Sequence, residues 1–284
     1  MPRIAYVNGA YVPLEDASVH IEDRGYQFAD GIYEVVLRVG GRFWDLEGHL
    51  KRWARSLSEL EIRAPISEAA LRTVIAKLVE KNRLGDCMIY MQATRGVASR
   101  NHPFPATDTA PALVLTAKPI DLEKLNARAS KGVAVITRPD IRWGRVDIKT
   151  VGLLPNCLAK EAAVRENAVE AWLVKDGKVT EGSSSNAWIV DDKGQLITHP
   201  LGHEILGGIT RQTVIACAES LQMKVVERAF TVDEALKARE AFITSAMNLV
   251  TPVIAIDGKK VGEGAPGPVA ARLRARYVQH NAEG

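Results

Sequence analysis

The stretch Thr180-Glu181-Gly182-Ser183-Ser184-Ser185-Asn186 says most about how the second half of this sequence folds. It follows a turn signal at Asp176-Gly177 and leads into Ala187-Trp188-Ile189-Val190, an apolar run typical of a buried strand. A serine-rich turn is usually solvated, with its hydroxyls bonded to the local backbone. Here a buried strand follows directly, so we expect Glu181 to lie close to a hydrophobic core.

A second informative segment is Asp147-Ile148-Lys149-Thr150-Val151. Its alternation predicts a strand with Lys149 on one face and Ile148 on the other. Such a lysine is usually solvated, but in a partly dry pocket its neutral amine becomes a nucleophile and a base. A lysine that forms a Schiff base and an acid that binds a ring nitrogen are what pyridoxal phosphate requires of a protein. Lys149 and Glu181 together therefore predict a site for this cofactor.

Two further segments offer sites for a phosphate group. Gly207-Gly208-Ile209-Thr210-Arg211 opens a predicted helix, and free amides at a helix start bind anions. The alternative there is a plain glycine turn with Thr210 as the N-cap. Arg52 is a weaker candidate, because helical spacing puts it on the polar side of its helix, opposite Leu50 and Trp53.

A loop after a predicted strand offers a carboxylate site. It runs from Thr94 to Pro103 and contains Arg100 and His102, a cation and an imidazole that can clamp a carboxylate. The alternative is an ordinary exposed loop. Tyr33 belongs to a strand face with Val35 and Leu37, a pattern that also fits a core residue.

The pattern along the chain predicts a mixed α/β protein rather than a doubly wound parallel sheet. Hairpins are expected at Asn8-Gly9 and Gly40-Gly41, and later at Asp176-Gly177, Asp192-Lys193-Gly194 and Asp257-Gly258. Helices are expected around Leu50–Leu60, Leu71–Val79 and Pro155–Ala168, after Gly208 and from Pro268. The expected domains are residues 1–118 and 133–284, joined by a polar connection at residues 119–132.

Composition narrows the function classes. At 284 residues, with 46% apolar and 25% charged residues, the chain is long enough for two globular domains. The net charge is 37 minus 34, or +3, without a basic block, so no nucleic-acid partner is expected. Cys87, Cys157 and Cys217 fit neither a disulfide framework nor a metal spacing and indicate a reducing cytoplasm. Neither a membrane segment nor a signal peptide is expected.

Taken together, these segments resemble the fold-type-IV pyridoxal phosphate enzymes, and most closely the D-amino acid aminotransferases. The resemblance covers nearly the whole chain and rests on Glu22–Phe28, Asp30–Val36, Thr94–Gly96, Asp140–Trp143, Asp147–Lys149, Thr180–Asn186, Gly208–Arg211 and Thr251–Ile254. It implies a smaller N-terminal α/β domain, a larger C-terminal domain with a β-barrel-like core, and a cofactor in the cleft between them. It also implies that a D-amino acid, such as D-alanine, exchanges its amino group with a 2-oxo acid, such as 2-oxoglutarate, by a ping-pong mechanism.

The resemblance also implies roles for individual residues. For pyridoxal 5'-phosphate, Lys149 would be the covalent and catalytic lysine, and Glu181 would bind the pyridine nitrogen. Arg52 and the amides of Ile209 and Thr210 would bind the phosphate. Leu206 would pack against the ring. For the substrate, the residues would be Tyr33, Arg100, His102 and Ser184. In the family the equivalents of Arg100 and His102 come from the partner subunit, which implies a homodimer. Many relatives carry hydroxyl residues after Thr244-Ser245, whereas Ala246-Met247-Asn248 follows here and leaves only the Ala246 amide as a phosphate donor.

Other functions of the same fold stay open at this point. A branched-chain L-amino acid aminotransferase or an (R)-amine transaminase shares the cofactor site. A lyase of the aminodeoxychorismate type also needs the lysine but eliminates pyruvate. A regulator or carrier would bind the cofactor without amino transfer, but the chain has no separate DNA-binding or partner segment that favours this.

Overall fold

The computed structural model describes residues 3–283. Contacts within the chain divide it into two compact units. The first unit ends at Ile120 and also includes Ile148–Gly152, whereas the second consists of Asp121–Asp147 and the chain from Leu153 onward. Lys149 thus belongs to the first unit, although most of the chain around it belongs to the second.

Six strands form the sheet of the first unit, and every neighbouring pair is antiparallel. They are β1 (Ile4–Val7), β2 (Ala10–Pro13), β3 (Gly31–Val39), β4 (Arg42–Phe43), β5 (Cys87–Thr94) and β6 (Ala112–Pro119). Their order in the sheet is β2-β1-β6-β5-β3-β4. The two predicted hairpins are confirmed: Asn8-Gly9 joins β1 to β2, and Gly40-Gly41 joins β3 to β4.

Helices pack against the sheet of the first unit. They are α1 (Arg24–Phe28), α2 (Leu46–Glu59) and α3 (Glu68–Lys81), with a short 3-10 helix at Leu14–Asp16. Both longer helices were predicted from their apolar spacing, and Ser67 caps α3 by accepting from the Ala70 amide at 3.3 Å. Their buried side chains, including Leu50 and Ile75, pack with Ile32 and Ile89 of the sheet.

Up to residue 283, the second unit contains one mixed sheet and five helices. The strands are β7 (Val133–Pro139), β8 (Glu170–Lys175), β9 (Lys178–Gly182), β10 (Asn186–Val190), β11 (Leu196–Thr198), β12 (Val225–Glu227), β13 (Phe230–Thr231), β14 (Glu240–Ser245), β15 (Leu249–Ile256) and β16 (Lys259–Lys260). The helices are α4 (Leu122–Lys131), α5 (Leu154–Arg165), α6 (Ile209–Ser220), α7 (Val232–Lys237) and α8 (Pro268–Glu283). The sheet order is β12-β11-β10-β14-β15-β7-β8-β9-β13, with β16 beside β15.

This sheet has to curl. In a flat sheet β10 and β9 would lie five strand spacings, or about 24 Å, apart. The turn Ser183–Ser185 joins them, and so short a connection spans at most about 15 Å. The sheet therefore curls around buried side chains such as Trp172 and Phe230, whose rings meet edge to face at 5.9 Å. The predicted barrel-like core is confirmed.

The segment predicted as the connection between domains has structure of its own. Within residues 119–132, helix α4 begins after Asp121, whose side chain accepts from the Lys124 amide at 2.9 Å. The domain boundaries themselves stay a prediction. No helix among residues 3–283 is long and apolar enough to cross a membrane.

The hairpin that leads to Glu181 gives a test of the fold. Both Gly177 and Gly85 have open space where a Cβ atom would lie. Gly177 has φ +75°, whereas Gly85 does not have a positive φ. We expect Gly177→Ala to lower the free energy of unfolding by about 1 kcal/mol. The added methyl group meets no neighbouring atom, so the cost comes only from placing a residue with a Cβ in the left-handed backbone conformation. The matched Gly85→Ala should leave stability unchanged or raise it by up to about 1 kcal/mol. Urea unfolding of both variants measures the difference; equal effects would contradict this account of the turn.

Candidate active site

Lys149 lies in a segment without regular secondary structure, so the strand predicted for Asp147–Val151 is wrong. Only Thr150 pairs with a strand, in a single bridge to Ile32. The alternation had another cause: Ile148 is 3% exposed and packs in the core of the first unit. A short segment that lies against Gly31–Tyr33 of β3, away from the residues that pair with β4, produces the same alternation as a strand.

The structure brings Lys149 and Tyr33 together. The Tyr33 amide donates to the Lys149 carbonyl at 3.0 Å, and the Lys149 Nζ lies 4.1 Å from the centre of the Tyr33 ring. That ring stacks on Tyr90 at 5.7 Å. Burial, and then the nearby Tyr33 hydroxyl, raises the pKa of Tyr90 to about 12, so Tyr90 stays neutral. The Lys149 amine is thus held over one aromatic ring that stacks on a second.

Arg52 lies on the face of α2 that its spacing predicts, with His49 and Ser56, but this polar face is buried rather than solvated. Its guanidinium binds Glu34 in a fork, with Nε to Oε1 at 2.7 Å and Nη2 to Oε2 at 2.9 Å. His49 Nδ1 lies 2.7 Å from Glu34 Oε2. Burial opposes the charge of Glu34, but the charge and hydrogen bonds of Arg52, and then His49, outweigh it and lower the pKa of this carboxyl.

Sequence analysis missed Glu34, although a signal was present. It lies between Ile32 and Val36 on the strand face that points into the core. A carboxylate on such a face needs a cation, and Arg52 and His49 lie on the helix packed against that face. Arg52 is therefore oriented by a buried partner rather than by solvent.

Arg100 and His102 are both exposed, in the loop between β5 and β6. Their side chains contact the same ring, that of Phe28 at the end of α1. In this loop the structure has no helix or strand, apart from one bridge between Val97 and Asp23. The two predicted carboxylate residues are thus brought together on one aromatic side chain.

Glu181 is buried at the end of β9, as the sequence predicted. Its Oε1 accepts from Arg142 Nη1 and from the Leu206 amide, the latter at 3.1 Å. Its Oε2 accepts from Asn186 Nδ2 at 2.9 Å. Burial raises the pKa of Glu181 to about 7, and the charge of Arg142 only partly opposes this. An added cationic N–H donor would stabilise the ionised carboxylate, so the site fits a protonated ring nitrogen.

Arg142 is shared between two acids. Its Nε and Nη2 bind Asp140 at 2.9 and 2.7 Å, while Nη1 binds Glu181. Burial opposes the charge of Arg142, but the hydrogen bond to Asp140 and the charges of both acids raise its pKa. Arg142 therefore stays charged, and because it also serves Asp140 it does not fully offset the burial of Glu181. Sequence analysis quoted this segment but gave Arg142 no role.

Asn186 connects the remaining predicted cofactor residues of the second unit. Its Nδ2 donates to Glu181 and also to the Leu206 carbonyl, each at 2.9 Å. In the sheet it pairs with Thr244, near the end of β14. Leu206 thus meets the Glu181 network through its backbone. Asn186 thus connects three segments: Glu181 at the end of β9, Leu206 shortly before α6, and β14, which precedes Ala246.

The start of α6 lies against Asn186. A Cβ on Gly208, the N-cap, would lie 2.0 Å from Asn186 Oδ1, so only glycine fits there. Gly208 has no side chain to cap the helix, and the amides of Ile209 and Thr210 have no acceptor within the helix. Thr210 lies inside the helix rather than at its N-cap. Open amides and the helix dipole at this end suit a phosphate group.

Ser184 lies in the turn between β9 and β10. Its hydroxyl donates to Glu170 Oε2 at 2.7 Å, and the Ser185 hydroxyl donates to the same oxygen at 3.0 Å. Ser183 binds the other oxygen of this fully buried carboxylate. The three consecutive serines are thus explained by Glu170, a residue that sequence analysis missed.

Ala246 is half-buried in the turn after β14. Arg274 of α8 fixes this turn by donating to the carbonyls of Asn248 and Val250 at 3.0 and 2.8 Å. Leu249, between them, is 1% exposed and has φ +54°, an unusual backbone for leucine. The Ser245 hydroxyl also fixes this turn by accepting from the Asn248 amide at 3.1 Å. The turn that carries the Ala246 amide is therefore held by the Arg274 side chain and by a hydroxyl that precedes Ala246.

The buried Glu181 gives a test by pH. Its pKa is about 7 in the folded protein against an ordinary value of 4.5, so the folded state holds the proton more tightly. Stability should therefore be lost as pH rises through this window, by about 3 kcal/mol at 1.36 kcal/mol per pKa unit. We expect the free energy of unfolding of the cofactor-free protein, minus that of Glu181→Gln, to fall from pH 5 to pH 8. Urea unfolding at each pH measures it, and a difference independent of pH would contradict the prediction.

Comparison with known proteins identifies the family. Residues 31–256 match the family model of amino-transferase class IV, whose members are pyridoxal phosphate enzymes. D-alanine aminotransferase of Staphylococcus aureus (strain MSSA476) is 41% identical over 275 residues, covering 97% of this chain and 96% of the relative. D-alanine aminotransferase of Listeria monocytogenes serotype 4b (strain F2365) is 42% identical over 274 residues, covering 96% and 94%.

Solved structures agree on the fold. The branched-chain aminotransferase of the thermophilic archaeon Thermoproteus uzoniensis, with norvaline, matches with a TM-score of 0.86 at 26% identity, covering 99% of this chain and 95% of that one. The Escherichia coli branched-chain amino acid aminotransferase matches with a TM-score of 0.90, covering 98% and 94%, and at 24% identity it supports the fold alone. The predicted fold-type-IV class is confirmed. Because the family model spans most of the sequence and the D-alanine aminotransferases align with nearly all of it, the chain belongs to the class IV aminotransferase family and is an enzyme.

Proposed function

We propose that this aminotransferase moves the amino group of a D-amino acid, such as D-alanine, to a 2-oxo acid, such as 2-oxoglutarate, by a ping-pong mechanism with pyridoxal 5'-phosphate. The observation that carries the choice of substrate is the likeness to D-alanine aminotransferases, at 41% and 42% identity along almost the whole chain. The two branched-chain enzymes with a similar fold are only 24% and 26% identical.

Each unit contains proposed cofactor residues. In the first unit they are Lys149 and Arg52; in the second they are Glu181, Leu206, Ile209, Thr210 and Ala246. The buried carboxylate of Glu181, with its raised pKa, and the open amides at the start of α6 are the observations that support this assignment. Arg52 and the amides of Ile209, Thr210 and Ala246 would bind the phosphate, and Leu206 would pack against the ring.

When bound, pyridoxal phosphate supplies a carbonyl carbon that takes up the amino group and a ring that withdraws electrons from the substrate Cα. Lys149 would hold the cofactor covalently through its amine, and that amine, once free, would accept the proton from the substrate Cα. Glu181 would keep a proton on the ring nitrogen by charge and hydrogen bonding. Arg142 and Asn186 orient Glu181 for this role.

The substrate carboxylate is assigned to Tyr33, Arg100 and His102, and Ser184 is placed on the substrate side. We further propose a homodimer in which Arg100 and His102 complete the partner's site. Their exposure in the single chain supports this, because residues that serve a partner cannot be buried by their own fold. We place the enzyme in the cytoplasm, an assignment supported by its three free cysteines, Cys87, Cys157 and Cys217.

Replacement of the lysine tests the catalytic assignment. We expect Lys149→Ala to lower the rate of amino transfer by about 10³-fold or more, because it removes both the covalent anchor and the base. Lys118→Ala, which changes an exposed lysine on β6, is the control and should keep the wild-type rate. The measurement is 2-oxo acid formation by the protein supplied with pyridoxal phosphate. Full turnover by Lys149→Ala would remove this lysine from the mechanism.

A substrate comparison tests the proposed specificity. Purified protein with pyridoxal phosphate and 2-oxoglutarate is assayed with D-alanine, L-alanine and L-leucine. We expect pyruvate from D-alanine alone, and only when the acceptor is present. Turnover of L-leucine would point to a branched-chain enzyme and overturn the assignment of Arg100 and His102. Pyruvate formed without an acceptor would point to a lyase, and no transfer from any of the three would favour an amine transaminase.

A further inference from the structure

The backbone of the loop that carries Arg100 and His102 is attached to a buried arginine. Loops with little regular structure are ordinarily mobile, and Arg100, Asn101, His102 and Pro103 are all exposed. Nevertheless, Arg24 of α1, which is 3% exposed, donates from Nη1 to the Asn101 carbonyl at 2.7 Å. The same guanidinium reaches the His102 carbonyl from Nη2 at 3.4 Å and the Pro103 carbonyl from Nη1 at 3.5 Å.

Arg24 is itself fixed by an acid. Its Nε donates to Asp30 Oδ2 at 2.7 Å, and Arg95 binds both oxygens of the same carboxylate at 2.7 and 3.0 Å. Arg95 in turn donates to the carbonyls of Leu60 and Glu61 at the end of α2. A planar guanidinium anchored at Nε has its remaining N–H groups fixed in direction. The carbonyls of Asn101, His102 and Pro103 therefore accept from Arg24 N–H groups whose directions are already fixed.

The side chains of the loop are fixed separately, by Phe28. The Arg100 guanidinium carbon lies 4.5 Å from the centre of this ring, and the His102 ring lies 5.7 Å away, tilted by 53°. Arg24 stacks on the same ring at 4.7 Å. A guanidinium at such a distance is attracted by the ring's negative face. The Arg100 guanidinium also donates to Gln27 Oε1, at a long distance of 3.5 Å.

We propose that Phe28 and Arg24 are positioning residues for substrate recognition: Phe28 holds the side chains of Arg100 and His102 in their carboxylate-binding orientation, and Arg24 holds the backbone between and beyond them. The proposal rests on the proposed function, in which Arg100 and His102 bind the substrate carboxylate. Neither Phe28 nor Arg24 needs to touch the substrate. A loop ordered before binding loses less freedom when the carboxylate arrives, which strengthens binding without altering the proton transfer at Cα.

The test separates substrate binding from chemistry. Phe28→Leu removes the ring but keeps an apolar side chain, and Arg24→Lys keeps the charge but loses the fork. For each variant, loaded with pyridoxal phosphate, we expect the KM for D-alanine and for 2-oxoglutarate to rise by about tenfold while kcat stays within about twofold. Phe28→Tyr keeps the ring and should restore the wild-type KM.

Arg38→Lys is the matched control for Arg24→Lys. Arg38 also donates to consecutive carbonyls, those of Leu84 and Gly85 at 3.4 and 2.9 Å, but in a different loop of the same unit. We expect the KM values of the Arg38→Lys variant to equal those of the wild type. Cofactor content and thermal midpoint are recorded for every variant, so that a KM change with both intact reports on the loop alone.

The possible outcomes are distinct. Unchanged KM values in Phe28→Leu and Arg24→Lys would overturn the proposal, as would a fall in kcat at constant KM. An equal rise in KM for Arg38→Lys would also overturn it, because a general loss of rigidity would then explain the effect. Should Phe28→Leu not fold, Arg24→Lys tests the backbone contacts alone by the same criteria. A wild-type protein that does not use D-alanine would instead refute the proposed function.

Discussion

The amide of Asn186 is the contact on which the candidate site of the second unit depends. It donates to Glu181 and to the Leu206 carbonyl, and its oxygen occupies the space that a side chain on Gly208 would need. Its strand pairs with Thr244, next to the turn that contains Ala246. Segments distant in sequence are therefore held by one side chain. The serine turn before it gains its own order from Glu170, which binds all three hydroxyls.

Two buried carboxylates illustrate how partners decide the state of an acid. Glu34 binds a bidentate arginine and a histidine, and their attraction lowers its pKa despite complete burial. Glu181 shares Arg142 with Asp140, so burial prevails and its pKa rises to about 7. The first acid is satisfied within the protein and orients Arg52. The second still gains from one more cationic donor, which is the property expected of a residue that binds a protonated ring.

Much of the fold could be predicted because its signals are local. Asn8-Gly9 and Asp176-Gly177 specify their turns through the residues themselves, and α3 follows from its apolar spacing and the Ser67 cap. The errors have distant causes. Lys149 lies against Gly31–Tyr33, far away in the sequence, so its five-residue alternation looked like a strand of its own. Arg52 seemed solvated because its partner, Glu34, lies on another element. The site chemistry was predicted from residue types, whereas Arg142, Glu170 and Asn186 act through contacts that spacing does not reveal.

The membership of Lys149 in the first unit has a consequence for how this chain can be divided. The chain passes from one unit to the other three times, after Ile120, after Asp147 and after Gly152. A fragment ending at Ile120 would contain Tyr33, Arg52 and the Arg100 loop but no Lys149. A fragment starting at Asp121 would contain the lysine without the strand edge that receives its backbone. No single cut of the chain therefore yields the first unit together with Lys149. Gene fusions, split proteins and domain exchanges must carry the short Ile148–Gly152 segment as an insertion.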